Sequence, residues 1–313
     1  LDSKKASLKK AHNIDPDIVF EACIFECISI RVNDIAIPSW VFQAFGQPVA
    51  TRNFNYDSMI FLDGSFKNHW GDNASVPDMT RLETQMFFYY RACRYIDAGY
   101  EGLHMGQVHL IGKKDRDYAC WTKALNMIRS YAKTHARRKF VFINAHTHGI
   151  IGNDRKLLFD FHAYPLRIAP ANGSVSHIPT YDNPQKVELR EGYSDSIYGR
   201  SLGGTTHSGW SCSSLPYFVE FDNFWNGVCD NYIDSPASKN PYCWGMDEIS
   251  WFANQPQSYR TEFLQYAYDW VRGLSDDGFA EMPGNRTAYM RSSVNQNEFV
   301  HHPYVPNNSM FYS

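Results

Sequence analysis

Apolar residues recur at spacings of three and four in three stretches of the chain. Leu82, Met86, Tyr89, Tyr90, Cys93 and Ile96 predict an amphipathic helix over 80–98, with Gly99 as its stop signal. Trp121, Leu125, Ile128 and Tyr131 predict a second helix over 115–138, and Phe263, Tyr266, Ala267, Trp270 and Val271 a third over 258–273. Short apolar and β-branched runs bounded by turn residues predict strands at 18–28, 102–109, 140–146, 157–163, 215–222, 242–246 and 278–282. An eighth is expected at 58–63 or near 193–199. Residues 1–17 are polar and basic and read as a short helix or tail. Pro38 starts another short helix, and Asp247 is a plausible N-cap where 242–246 meets the next one.

Strand, helix, strand, helix, strand is the rhythm of an α/β protein with a parallel sheet. The number of strands suits one (β/α)8 barrel over 18–284 with long loops, followed by a polar tail over 285–313. A doubly wound open sheet is the rival. Against it, no strand runs into a Gly-x-Gly-x-x-Gly or P-loop pattern, and no cofactor is expected.

Within this frame the run 215–222 stands out. It is apolar and aromatic, yet Glu220 and Asp222 sit near its end, two residues apart and so on one face. Other runs do the same. Glu26, Gln107, His109, His146, Asp160, His162, Trp244, Asp247, Glu248 and Glu281 all fall at or just past expected strand ends. In a barrel those ends converge on the face that carries the active site. Burying so many polar groups without a ligand would be costly.

Composition narrows the partner. A net charge of −3 with no basic stripe argues against nucleic acid, and no apolar run is long enough to span a membrane. Seven scattered cysteines form no disulfide framework and no zinc-ligand spacing, so no metal is expected. Aromatic residues make up 16 % of the chain, more than a core of this size needs. They crowd the insertion 47–79 (Phe54, Tyr56, Phe61, Phe66, His69, Trp70) and the loop from Trp225 to Trp244, where they suit stacking against sugar rings. The chain starts at Leu1 rather than methionine, so a preceding piece is expected to have been removed or omitted; the cellular address stays open, with export favoured.

The acids closing strands, Glu26, Glu220, Asp247 or Glu248, and Glu281, with Gln107, His109 and Trp244 among them, resemble the arrangement in glycoside hydrolases built on the (β/α)8 barrel. The resemblance covers architecture and residue placement across about 18–284, without a family-specific motif. It implies a carbohydrate substrate and two carboxylates flanking the scissile bond, one donating a proton and one attacking or activating water. Glu220 paired with Glu26 or Glu248 is the expected catalytic set, and Gln107, His109, His146, Asp160, His162, Asp222, Trp244, Asp247 and Glu281 the expected sugar contacts. Asn144-Ala145-His146-Thr147-His148-Gly149 supports a different reading. Two histidines alternating at a strand end look like the metal-binding start of the amidohydrolases, with Asp160 and His162 as further ligands. A barrel that binds glycan without cleaving it is the third possibility.

Overall fold

The computed structural model describes residues 2–147, 149–166, 168–170, 187–189, 202–221, 248–253, 255–281, 286–291 and 299–304. In chain order these form α1 (Asp2–Ile14), β1 (Glu21–Cys23), β2 (Ile28–Ser29), α2 (Ser39–Ala44), β3 (Ala74–Ser75), α3 (Leu82–Ala98), β4 (Gly102–His104) and the one-turn α4 (Val108–Ile111). There follow α5 (Ala119–His135), β5 (Phe142–Ala145), β6 (Phe161–Pro165), β7 (Ile168–Pro170), β8 (Val187–Leu189), β9 (Gly204–Thr205), β10 (Ser211–Cys212) and β11 (Tyr217–Glu220). The last elements are α6 (Glu248–Ala253), α7 (Gln257–Leu274), β12 (Gly278–Ala280), β13 (Arg286–Arg291) and β14 (Phe299–Tyr304).

The fold is mixed α/β around six parallel strands, hydrogen-bonded in the order β1-β4-β5-β6-β11-β12. Each strand lies beside the next strand of the set in the chain. The order never reverses, so the sheet lacks the switch point of a doubly wound fold. Among the described residues the strands do not close into a ring, and the expected eight-stranded barrel is replaced by a sheet with β1 and β12 at its edges. The 58–63 stretch supplies no strand; Ile60 makes a single bridge to Pro77. Expected strands at 242–246 and 193–199 lie outside the described residues.

The chain divides into two compact units, residues 1–162 with 200–215 and residues 163–199 with 216–313, where one unit over 18–284 was expected. In the first, Ala22, Leu103, Ile143 and Ala145 share one core with Met86, Ala92, Cys93 and Ile96 of α3 and with Trp121, Leu125, Ile128 and Ala132 of α5. Both helices therefore cover one face of β1, β4 and β5. α3 stops where expected: Gly99 takes φ 105°, its N–H reaches the Ile96 carbonyl, and the Tyr100 N–H reaches Tyr95. These are the paired bonds of a Schellman cap. The aromatic insertion joins this core, since Phe54, Tyr56 and Phe61 are buried in it and Phe66 packs against it. Those rings are core, not the lining of a sugar cleft.

In the second unit, Tyr217 and Val219 of β11 share a core with Ile249 and Phe252 of α6 and with Phe263, Ala267 and Val271 of α7. The 285–313 stretch, expected as a polar tail, carries the antiparallel pair β13–β14. No helix among the described residues is long and apolar enough to cross a membrane.

Candidate active site

Parallel register fixes which side chains share a face. Glu21 aligns with Gly102 and Phe142, while Cys23 aligns with His104 and Asn144. Period-2 alternation puts all of these opposite the helix-covered face. Gly102 leaves room there: a Cβ would meet the outer edge of the Phe142 ring at 2.8 Å and the Glu21 Cβ at 3.2 Å. With that gap left open, the Asn144 side-chain amide donates to the Glu21 carboxylate across β4. Asn144 Oδ1 then accepts from His104 Nδ1 at 2.6 Å. Because an amide oxygen can only accept, Nδ1 carries a proton in this bond and Nε2 points away from it. His104 and Asn144 are 1 % and 0 % exposed, so the hydrogen bonds offset an otherwise costly burial.

More polar groups follow at the C-terminal ends of the same strands. β4 stops at His104 because Gly106 turns the chain at φ 65°. Past the turn, the Gln107 backbone N–H donates to Glu26 Oε2 at 3.0 Å, and its side-chain amide donates to Oε1 at 3.1 Å. Glu26 lies just beyond β1, so the structure brings together two residues expected separately, Glu26 as a catalytic acid and Gln107 as a sugar contact. His146, just past β5, donates its backbone N–H to the Gly106 carbonyl, and its ring meets the His104 ring edge-on at 4.6 Å. The exposed Phe25 ring lies 6.1 Å from His104. On the next strand, Phe161 aligns with Asn144, and Trp210 packs edge-on against Phe161 and Phe140. Apolar rings thus lie beside the hydrogen-bonding groups on this face.

The second unit repeats the pattern by itself. Val219 pairs with Ala280, and the Glu281 N–H continues the ladder to the Val219 carbonyl at 2.8 Å. Glu220 and Glu281 are therefore register neighbours at the C-terminal ends of β11 and β12. Both lie on the face away from α7, beyond the aromatic pair Phe218–Phe279. Glu220 is buried, at 4 % exposure, and Glu281 half-buried.

Several expected positions change. Asp160 and His162 are not at a strand end: β6 begins at Phe161, so Asp160 precedes it and His162 sits inside it on the helix-covered side. Asp160 is fully buried, accepts the Ile143 N–H at 2.9 Å, and faces Arg129 of α5 at 3.4 Å. That makes it a structural anchor. His109 lies on α4, not on a strand, and is exposed, within hydrogen-bond reach of Tyr118 and Thr147. Glu248 begins α6, not a strand end. Asp222, Trp244, Asp247 and His148 lie outside the described residues.

Sequence reading passed over His104, Glu21 and the role of Asn144. Gly106 was the available signal for His104, because a glycine inside the 102–109 run marks a turn that ends the strand early. No family model, no curated protein and no solved structure matches this chain.

Proposed function

We propose that this protein hydrolyses a glycosidic bond, with Glu220 and Glu281 as its carboxylates. The observation that carries the reading is their alignment at the C-terminal ends of adjacent parallel strands, on the face opposite the helix. Neighbouring strands run about 4.8 Å apart, close to the carboxyl spacing of about 5–5.5 Å that lets one group protonate the leaving oxygen while the other attacks the anomeric carbon. Glu26 is a weaker candidate than its position alone suggested, because Gln107 holds both of its oxygens. Glu248 opens a helix instead of closing a strand. The strand order, in which each strand lies beside the next of the set without reversal, supports a (β/α)8-type winding as well.

The test is turnover of 4-nitrophenyl glycosides and release of reducing ends from a polysaccharide panel. Glu220→Gln and Glu281→Gln should each lower turnover by about a hundredfold or more with the fold intact. Undiminished turnover in both variants, or no cleavage of any panel member by the native protein, would sink the proposal.

The His104–His146 pair favours a second reading, a metal-dependent hydrolase. An imidazole whose Nδ1–H is held by a neighbouring side chain presents Nε2 as a metal ligand. Stoichiometric zinc or nickel in protein purified without added metal, lost in His104→Ala, would select this reading over the first.

A further inference from the structure

A cavity of about 340 Å³ opens in the first unit, away from the polar face of the sheet. One wall is a stripe of α3: Phe87, Tyr90, Arg91, Arg94 and Tyr95 follow one another at helical spacing. The facing wall is the segment 27–35, which contributes Ile28, Val32 and Arg31. Ile28, Val32 and Phe87 are buried and give the cavity an apolar floor. Arg31 and Arg94 stand exposed at the wall. Arg91 lies over the Phe87 and Tyr95 rings, 5.8 and 5.4 Å from their centres, and donates to the Tyr95 hydroxyl.

Among the described residues no carboxylate pairs with any of these three arginines, although the chain as a whole is acidic. Four other arginines of the same unit are matched: Arg52 by Glu83, Arg137 and Arg138 by Glu101, Arg129 by Asp160. Three unmatched guanidinium groups around one apolar-floored cavity are the inverse image of an anion with a hydrophobic body. The volume is that of a small-molecule pocket, too small for a folded partner. We propose that this cavity binds a small organic anion, its carboxylate or phosphate held by Arg31, Arg91 and Arg94 and its apolar part seated between Tyr90, Tyr95 and Phe87.

Isothermal titration calorimetry with phenylacetate, phenyl phosphate, 2-phenylethanol and inorganic phosphate tests this on the intact chain, independently of any turnover. At least one of the two aromatic anions should bind with a dissociation constant of about 1 mM or tighter, and which one binds tighter identifies the head group. The neutral alcohol and inorganic phosphate should each bind about tenfold more weakly or not at all. Arg31→Gln combined with Arg94→Gln removes two exposed charges without touching the core; it should weaken the anion about tenfold or more while leaving the melting temperature unchanged. The inference is overturned if neither anion binds, if the alcohol or phosphate alone binds as tightly, or if the double variant retains full affinity.

Discussion

Asp160→Ala removes a fully buried carboxylate that stabilises two groups at once: the Ile143 N–H at 2.9 Å and the Arg129 guanidinium at 3.4 Å. Leaving a buried N–H without its acceptor costs about 1–3 kcal/mol. Arg129 is itself buried, and its Nε and Nη1 already have no partner among the described residues. Burial pulls the Arg129 pKa below its usual value, and the Asp160 charge opposes that pull. Breaking a buried pair costs about 3–5 kcal/mol, and a 3.4 Å separation places this one at the low end. Because the two costs share one side chain they do not simply add, and about 3–5 kcal/mol is expected for the alanine variant. Asp160→Asn keeps an acceptor for Ile143 and should lose about 1–3 kcal/mol. Urea unfolding followed by fluorescence measures both, and at about 2–4 °C per kcal/mol the alanine variant should melt roughly 10 °C lower. Combining Arg129→Met with Asp160→Ala removes the uncompensated charge, so the double variant should be more stable than the sum of its parts by about 1–3 kcal/mol. Two results would refute the reasoning: an alanine variant as stable as the native chain, or an asparagine variant of native stability that loses turnover.

Two further outcomes follow from the geometry. A Cβ at position 106 would lie 2.0 Å from Glu26 Oε2 in a backbone conformation with φ 65°, so Gly106→Ala should expel Glu26 from Gln107 and destabilise the chain by about 1–3 kcal/mol, read as a lowered urea midpoint. Burial, with nearby Arg129 adding to it, lowers the His207 pKa, although Asp154 lies 3.1 Å away. A depressed folded-state pKa means that protonation favours the unfolded chain. The contribution of His207 is complete above the usual histidine pKa of about 6.5 and is lost as pH falls through the lowered folded value. His207→Gln should therefore flatten the fall in melting temperature between about pH 7 and pH 5; an unchanged slope would show that His207 does not set it.

How much was legible in the chain depended on where its signals were redundant. α3 carries periodicity and a stop glycine together, and it was placed within two residues of its bounds. β5 is a short apolar run flanked by polar segments, and it too fell inside its expected range. The 157–163 run misled because Leu157, Leu158 and Phe159 are as apolar as a strand, yet they turn into the core before β6 begins. A shift of four residues turned Asp160 from a strand end into a strand entrance. The barrel expectation rested on counting such runs, and 58–63 shows the weakness of counting: Met59, Ile60 and Phe61 are buried without belonging to a strand. Pairing between distant residues decides these cases, and no local pattern records it. The Glu21–Asn144–His104 relay joins residues more than a hundred positions apart in the chain and depends on the absent side chain of Gly102.

The strand order explains why the polar groups gather where they do. In each unit helices cover one face of the strands, and most of the side chains there are apolar: Ala22, Leu103, Ile143 and Ala145 in one unit, Tyr217 and Val219 in the other. The opposite face is free to differ along its length. Rings cover part of it, Phe140, Phe161 and Trp210 in the first unit and Phe218 with Phe279 in the second. At the C-terminal ends it carries Glu26, His104, Asn144 and His146 in the first and Glu220 and Glu281 in the second. A chain under selection for stability alone would fill buried strand ends with the same apolar residues it uses one layer below, since carboxylates and imidazoles there each carry a desolvation cost. Each unit, taken by itself, accepts that cost at the C-terminal ends of its strands, on the face its own helices leave uncovered. Local rules broken together, in a place the topology leaves open, are what the proposed site rests on.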